Sequence, residues 1–502
     1  MANQAKIGAF IAALREERGL TQTQLAKLLH TSQSAVARME KGEQNFTTEM
    51  LTKLSKALGR SIVTLSPGTL NLRIEGGKQL HGSVAVNRSK NSAVFLLCAA
   101  LLNKQRTILK EMPRIEEVNR ISEVLTSLGA KVTRKANNDI EIIPPKRLRI
   151  RSLDKEAAKK TRSMLLLIPA LLQSLPAFSF PHPGGCKLGK RTIRPHLFAL
   201  EKFGIAITTT SRAYTIKRKK LHAAEIVLYE SGDTATGNAI MAAATIPGTT
   251  VIKYASANYQ VQDLCRFLTL LGVTIEGIGT TTLTIHGKEQ LSKEVCFFPS
   301  EDPIEAMLFL SIAATTRSKI TIRKCPIEFL ELELLKLEKM GFRYRMSRPS
   351  YSKNGFTKLV DITTFPSQLK ALEEKIYGRP FPGLNIDNLP FFVPIATQAE
   401  GTTLIHDWVY ENRAVYYLEL AKLGARIILA DPHRVYIEGP TRLKPAEVVC
   451  PPALRPAAII LIAMLAAKGT SVLRNIYSIN RGYEDLARRL SRIGASIQLI
   501  QE

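Results

Sequence analysis

One cysteine stands among glycines and cations in Pro183-Gly184-Gly185-Cys186-Lys187-Leu188-Gly189-Lys190-Arg191. Lys187, Lys190 and Arg191 favour thiolate over thiol and draw anions toward it. The glycines leave the backbone free to move and close over a ligand. A thiol so placed can donate a proton or attack an anionic electrophile; a solvated loop with an incidental cysteine has the same composition. Other polar motifs follow in Ser89-Lys90-Asn91, Lys160-Thr161-Arg162-Ser163, Asp387, Glu411-Asn412-Arg413, Arg455 and Arg481-Gly482-Tyr483. Arginine stays charged and holds carboxylate or phosphate bidentately, so these motifs suit a multiply anionic ligand.

The elements that must position these residues repeat. Six times an apolar helix ends at a glycine before a strand: Leu128-Gly129-Ala130, Phe203-Gly204, Leu271-Gly272, Met340-Gly341, Leu423-Gly424-Ala425 and Ile493-Gly494-Ala495. The interval is roughly 70–80 residues, too long for a solenoid repeat, so the six units are expected in groups of three. Each glycine is expected to cap a helix before a strand such as Lys131-Val132 or Arg426-Ile427-Ile428. Lys90 and Asn91 fall where a strand runs into a helix, near the positive end of a helix dipole. Asp302 and Glu305 read as structural carboxylates at a helix start.

In order and spacing these motifs resemble the UDP-N-acetylglucosamine 1-carboxyvinyltransferase (enolpyruvyl transferase) family over roughly residues 70 to 500. The resemblance implies a two-domain inside-out α/β barrel of six repeats, three per domain. Residues 70–89 with 299–502 would form one domain and 90–298 the other, with the active site between them. The substrates implied are phosphoenolpyruvate and UDP-N-acetylglucosamine, with no cofactor. Cys186 matches the proton donor, Asp387 the carboxylate at the sugar hydroxyl, and Lys90 a catalytic cation. Lys90, Asn91, Arg191, Arg455 and Arg481 would bind phosphoenolpyruvate. Asn91, Arg162, Arg191, Arg194, Pro195, Asp387, Val409 and Arg413 would bind the nucleotide sugar. The chain departs from the family pattern at Asn87-Arg88-Ser89, at Thr192-Ile193-Arg194-Pro195-His196, at Gly232-Asp233-Thr234, and at Asn258 and Gln260, mostly on the nucleotide side. The shikimate-pathway relative, 5-enolpyruvylshikimate-3-phosphate synthase, is disfavoured because its Gly-Asn-Ala-Gly-Thr segment is missing.

Residues 5–60 read as short helices. Ile7, Phe10, Ile11 and Leu14 share one face. Thr21 and Gln24 form a capping box opening a helix through Leu29. A turn at His30-Thr31-Ser32 leads to a second helix from Gln33 to Glu40, closed by Gly42. This segment resembles the phage-repressor-like helix-turn-helix. The resemblance implies a small all-α DNA-binding domain over 1–66, with Gln33, Ser34 and Arg38 at base edges and Gln22 and Lys41 at phosphates. Dimerisation is the usual companion of such domains. A helical bundle used for docking is the alternative. Leu25, Leu28, Leu29, Val36, Met39, Leu51, Leu54 and Leu58 can share its core. A transcription regulator whose enzyme-derived half senses UDP-sugar or phosphoenolpyruvate is the competing function.

At 502 residues and 45% apolar content the chain can bury two or three cores. Ala457 to Ala467 is the nearest approach to a membrane span and is too short. The six cysteines (98, 186, 265, 296, 325 and 450) show neither pairing nor metal-ligand spacing. A reduced, cytoplasmic protein without a metal site is expected. Residues 1–66 carry nine Lys/Arg against five Glu, a net +4, leaving +23 of the chain's +27 for the remainder. Such a surplus attracts nucleic acid or anionic membrane, or is a solvated basic surface.

Overall fold

The structure is a computed structural model describing residues 8, 11–16, 18–43, 50, 54, 57, 70–154, 158, 161–182, 192–210 and 213–501. The chain divides into two compact units, Met1–Leu72 with Arg474–Tyr477 and Leu499–Glu502, and Arg73–Leu473 with Ser478–Gln498.

In the first unit, Gln22–Leu28 and Gln33–Lys41 are helices. Thr21 and Gln24 exchange hydrogen bonds in a full capping box, Ser32 caps the second helix, and Gly42 ends it in the left-handed region at φ 71°. Each contact satisfies backbone groups that a helix end would otherwise leave unpaired. Ile11, Leu14, Leu25, Ala26, Ala35, Val36, Met39 and Leu54 form the core. Small Ala26 lets the two helices cross closely. Leu28, expected inside, is 53% exposed because it lies on the solvent side of its helix. Ile7, Phe10, Leu51 and Leu58 lie outside the described residues.

The second unit is built from sheets and apolar helices. Val295–Phe297, Thr107–Leu109, Ile140–Ile143 and Lys131–Arg134 form one sheet, and Glu225–Val227, Gly248–Lys253, Thr282–Gly287 and Thr274–Glu276 a second. A third holds His81–Ala85, Lys319–Pro326, Lys358–Phe365 and Arg343–Met346, and a fourth Leu369–Lys370, Ala399–His406, Arg434–Gly439 and Arg426–Asp431. In all four the first pair is parallel and the next two are antiparallel. The fifth sheet joins Ala177–Pro181, Ala213–Arg218 and Ile205–Thr209, and the sixth Glu447–Val449, Gly469–Arg474, Leu70–Gly76 and Ser496–Gln501. Three sheets thus use only strands between 107 and 297.

The helices Lys90–Ala99, Asp233–Ala243, Pro303–Thr315 and Leu454–Ala466 are buried on nearly every side. Their sequences are apolar all round, which suits a helix enclosed by other elements rather than one lying on a surface. The apolar run at Ala457 is one of them, and no helix among the described residues is long and apolar enough to cross a membrane.

All six repeat glycines have positive φ, between 84° and 100°, and each stands between a helix and a strand. The segment Ala414–Leu423 before Gly424 is a 3-10 helix rather than an α-helix. Gly204 and Gly424 share φ 84° but differ in space. A Cβ on Gly204 would lie 2.4 Å from the Lys220 carbonyl oxygen, whereas around Gly424 nothing comes nearer than 3.9 Å. Gly424→Ala should therefore lose only the left-handed penalty, about 1–2 kcal/mol, and Gly204→Ala clearly more. Urea midpoints at unchanged slope would measure both; equal losses would mean that the backbone angle alone decides.

Candidate active site

Buried helices begin at the residues that could do chemistry. Lys90 is the first residue of Lys90–Ala99, Asp302 caps Pro303–Thr315, and Arg455 is the second residue of Leu454–Ala466. Asp302 Oδ1 accepts from the Ile304 and Glu305 backbone N–H groups at 2.9 and 3.3 Å, and its Oδ2 accepts from the Lys90 N–H at 3.3 Å. One carboxylate thus ties two helix N-termini together. Burial raises its carboxyl, against the opposing pull of Arg455. Glu305 does not cap. It is buried, accepts from the Asn87 N–H at 2.6 Å and pairs with Arg489, a structural role.

The anion-binding candidates come together around carboxylates. Lys90 Nζ lies 3.2 Å from Glu117, whose other oxygen accepts from the Thr161 and Ser163 hydroxyls at 2.8 and 2.9 Å. Burial pushes the Glu117 carboxyl up, but the charges of Lys90 and Arg481 and the two hydroxyls hold it at about 2. Lys90 and Arg481 therefore share this carboxylate. Arg455 receives no solvent-facing role alone: it donates to the Tyr483 hydroxyl at 2.8 Å and stands 3.4 Å from Asp387. A Cβ on Gly482 would lie 2.1 Å from Leu454 Cδ2, so a larger residue there would push the Leu454 side chain aside.

Asp387 ends a loop held from behind. Its N–H donates to Asn385 Oδ1 at 2.9 Å, and Glu333 accepts from the Asn385 N–H and the Asn388 amide at 3.1 and 2.8 Å. Arg413 is 1% exposed. It pairs with the fully buried Asp407 at 2.5 Å, donates to the Ile386 carbonyl at 2.6 Å, and reaches Asp387 only at 3.6 Å. Its guanidinium also lies over the Tyr410 ring, 4.3 Å from the centroid. The structure gives Arg413 the geometry of a residue that positions Asp387.

Asn91 donates to the Tyr259 hydroxyl at 3.1 Å. Arg162 donates to the Thr192 carbonyl at 2.6 Å and so joins the segment containing exposed Arg194 and buried Pro195. Val409 is exposed beside Trp408, whose indole N–H donates to the Gly378 carbonyl at 2.8 Å. Cys186 and Arg191 lie outside the described residues. Of the departures, Arg88 is buried and carries its own partners, Glu111 and Glu301, each at 2.7 Å. Glu117, Tyr259 and Asp407 escaped sequence reasoning. The acidic pair Glu116-Glu117 in a first helical turn was a usable signal; an isolated Asp407 offered none.

In the first unit, Gln33, Ser34, Arg38 and Lys41 are exposed and Gln22 is half-buried. The Gln33 amide donates to Gln22 Oε1 at 2.6 Å, and Gln22 donates to Glu40 at 2.8 Å. Glu40 is in turn paired with Arg15 at 2.6 Å. Gln33 is thereby oriented at the start of the second helix, where a base-reading side chain is needed.

The sequence profile of the EPSP synthase (3-phosphoshikimate 1-carboxyvinyltransferase) family matches residues 74–490, and a helix-turn-helix profile matches residues 11–65. A UDP-N-acetylglucosamine 1-carboxyvinyltransferase of Bradyrhizobium diazoefficiens is 35% identical over 86% of this chain and 98% of its own. One from Borreliella burgdorferi is 33% identical over 85% and 98%. Among solved structures, the enolpyruvyl transferase NikO from Streptomyces tendae superposes with a TM-score of 0.76 at 24% identity, covering 87% of this chain and all of its own. An EPSP synthase from Acinetobacter baumannii gives 0.68 at 18% identity over 86% of this chain and all of its own.

The Arg413–Asp407 pair can be tested without any ligand. Arg413→Met leaves a buried carboxylate uncompensated and should cost about 3–5 kcal/mol, while Arg413→Met with Asp407→Leu should recover most of the loss. Denaturant unfolding of both variants measures this, and a single variant as stable as the parent would show that the pair holds nothing in place.

Proposed function

As this chain belongs to the enolpyruvyl transferase family and carries a helix-turn-helix segment, we propose that it transfers the enolpyruvyl group of phosphoenolpyruvate to the 3-hydroxyl of UDP-N-acetylglucosamine, releasing phosphate, in the synthesis of peptidoglycan precursors. The observation that carries this reading is the gathering of Lys90 and Arg455, at the N-termini of buried helices, and of Arg481 around Glu117, Asp302 and Asp387. Helix N-termini and paired cations suit the carboxylate and phosphate of phosphoenolpyruvate. The sugar hydroxyl would meet Asp387, whose loop Arg413 and Glu333 brace.

The chemistry follows from charge. Cys186 delivers a proton to the methylene carbon of phosphoenolpyruvate, which makes the neighbouring carbon electrophilic. Asp387 takes the hydroxyl proton as the sugar oxygen bonds to that carbon. Loss of a proton from the new methyl group and departure of phosphate restore the vinyl group on the sugar. Lys90, Arg191, Arg455 and Arg481 stabilise the anionic charge throughout. Arg162, Arg194, Pro195, Val409 and Asn91 would hold the nucleotide sugar. The division into 70–89 with 299–502 and 90–298 is part of the same proposal, supported by the way three sheets draw only on residues 107–297. A nucleotide-sugar substrate goes with a cytoplasmic location. The N-terminal segment would bind DNA as a homodimer, with Gln33, Ser34 and Arg38 on base edges.

Phosphate release from phosphoenolpyruvate, assayed with a panel of sugar nucleotides, tests the reaction. Cys186→Ser should nearly abolish it, because a hydroxyl is a far weaker acid than a thiol, and Cys186→Asp should retain some. Arg481→Ala should weaken phosphoenolpyruvate binding and Arg162→Ala nucleotide-sugar binding, each by about 1.5–3 kcal/mol. No turnover with any acceptor, together with DNA affinity that responds to nucleotide sugar, would instead make the enzyme-like half a sensor.

DNA recognition is tested separately. Gln33→Ala should reduce discrimination between sites by about 1–3 kcal/mol while leaving non-specific affinity nearly unchanged. A uniform loss across all sequences, read by fluorescence anisotropy at fixed salt, would mean that Gln33 does not read bases.

A further inference from the structure

Asn87-Arg88-Ser89 leads out of the strand His81–Ala85, and Ser300-Glu301-Asp302 leads back toward Lys319–Pro326, its neighbour in the same sheet. The two passages run side by side and pair as an antiparallel bridge at Arg88 and Glu301. The Ser89 N–H donates to the Ser300 carbonyl at 2.8 Å, and the Asp302 N–H to the Asn87 carbonyl at 2.9 Å. Lys90 and its helix follow one passage directly, and the helix capped by Asp302 follows the other.

The Arg88 side chain fastens this pairing. Its Nη1 donates to Glu301 Oε1, the Ser352 hydroxyl and the Pro299 carbonyl at 2.7, 2.8 and 3.0 Å. Its Nη2 and Nε both donate to Glu111, at 2.7 and 3.0 Å. The guanidinium also lies over the Phe298 ring, 5.4 Å from the centroid. The turn after Tyr351 buttresses it. Lys353 pairs with Glu111 and lies over the same ring, and the Asn354 amide donates to the Ser300 hydroxyl at 3.3 Å. Phe356 packs on Phe297 and, among the described residues, alone joins the core of residues 93–297 from outside that range. Glu301 is buried and its second oxygen has no hydrogen-bond partner, so it depends on Arg88 for compensation. Every nitrogen of the guanidinium faces a protein group, in one of the segments where the chain departs from the family pattern.

We propose that Arg88 is a positioning residue for Lys90, holding the two passages in register so that the ammonium keeps its place when phosphoenolpyruvate arrives. This rests on the reaction proposed above. Lys90 is two residues from Arg88, and its N–H is held by Asp302, the neighbour of Glu301. A shift between the passages is therefore passed directly to the start of the Lys90 helix. A planar fork that grips both passages and Glu111 at once resists such a shift, which a single point charge does not.

Steady-state kinetics of the full chain tests this with Arg88→Met and Glu301→Gln combined, which removes the fastener without leaving a buried carboxylate alone. Thermal unfolding near that of the parent shows that the variant is folded. Its kcat should fall about ten- to hundredfold, the cost of a small misplacement of a catalytic group. KM for UDP-N-acetylglucosamine should stay nearly unchanged, because Asn91 is held separately by Tyr259. Arg88→Lys, which keeps the charge and loses the fork, should give a kcat between the two. Parental kcat in either variant, or a KM that rises as much as kcat falls, overturns the assignment. If the parent itself turns over no acceptor, the proposed reaction fails and hydrogen exchange judges Arg88 alone. Peptides holding the Ser89 and Asp302 amides should then exchange faster in the double variant, and unchanged exchange overturns the role of Arg88.

Discussion

The arrangement of the catalytic unit hangs on the carboxylate of Asp302. It caps its own helix and accepts from the first N–H of a second one, Lys90–Ala99. Two positive helix ends repel each other, and a shared anion is what allows them to meet. Because Arg455 sits within electrostatic reach of the same group, a third helix N-terminus joins them. Lys90 and Arg455 owe their common location to this junction. Helix ends gathered in this way attract anions before any side chain is counted.

Around that junction each important cation has a carboxylate partner. Lys90 has Glu117, Arg455 has Asp387, Arg413 has Asp407, Arg489 has Glu305, and Arg88 has Glu111 and Glu301. Burying these charges singly would cost several kcal/mol each. In pairs they hold long side chains in one geometry. The chain's +27 therefore reflects its surface more than its site.

The same logic recurs in the smaller unit. Arg15 fixes Glu40, Glu40 fixes Gln22, and Gln22 fixes Gln33. A half-buried ion pair thus controls the direction of an exposed amide. This network and the one around Asp302 share no residue.

Local rules made much of this legible in advance. The six glycines were expected at positive φ because a left-handed residue commonly ends a helix that runs into a strand, and all six lie there. Thr21, Ser32 and Gly42 announced their helices through capping chemistry alone. The motifs holding Lys90, Asp387, Arg413, Arg455 and Arg481 could be picked out by type and order, and the family with them. Partnership could not be read this way. Glu117 and Lys90 are joined only by folding, as are Asp407 and Arg413. Charge in a sequence has no partner until packing removes water from around it. Which groups an arginine faces is therefore decided by which carboxylate the tertiary structure buries beside it, as Asp407 is buried beside Arg413.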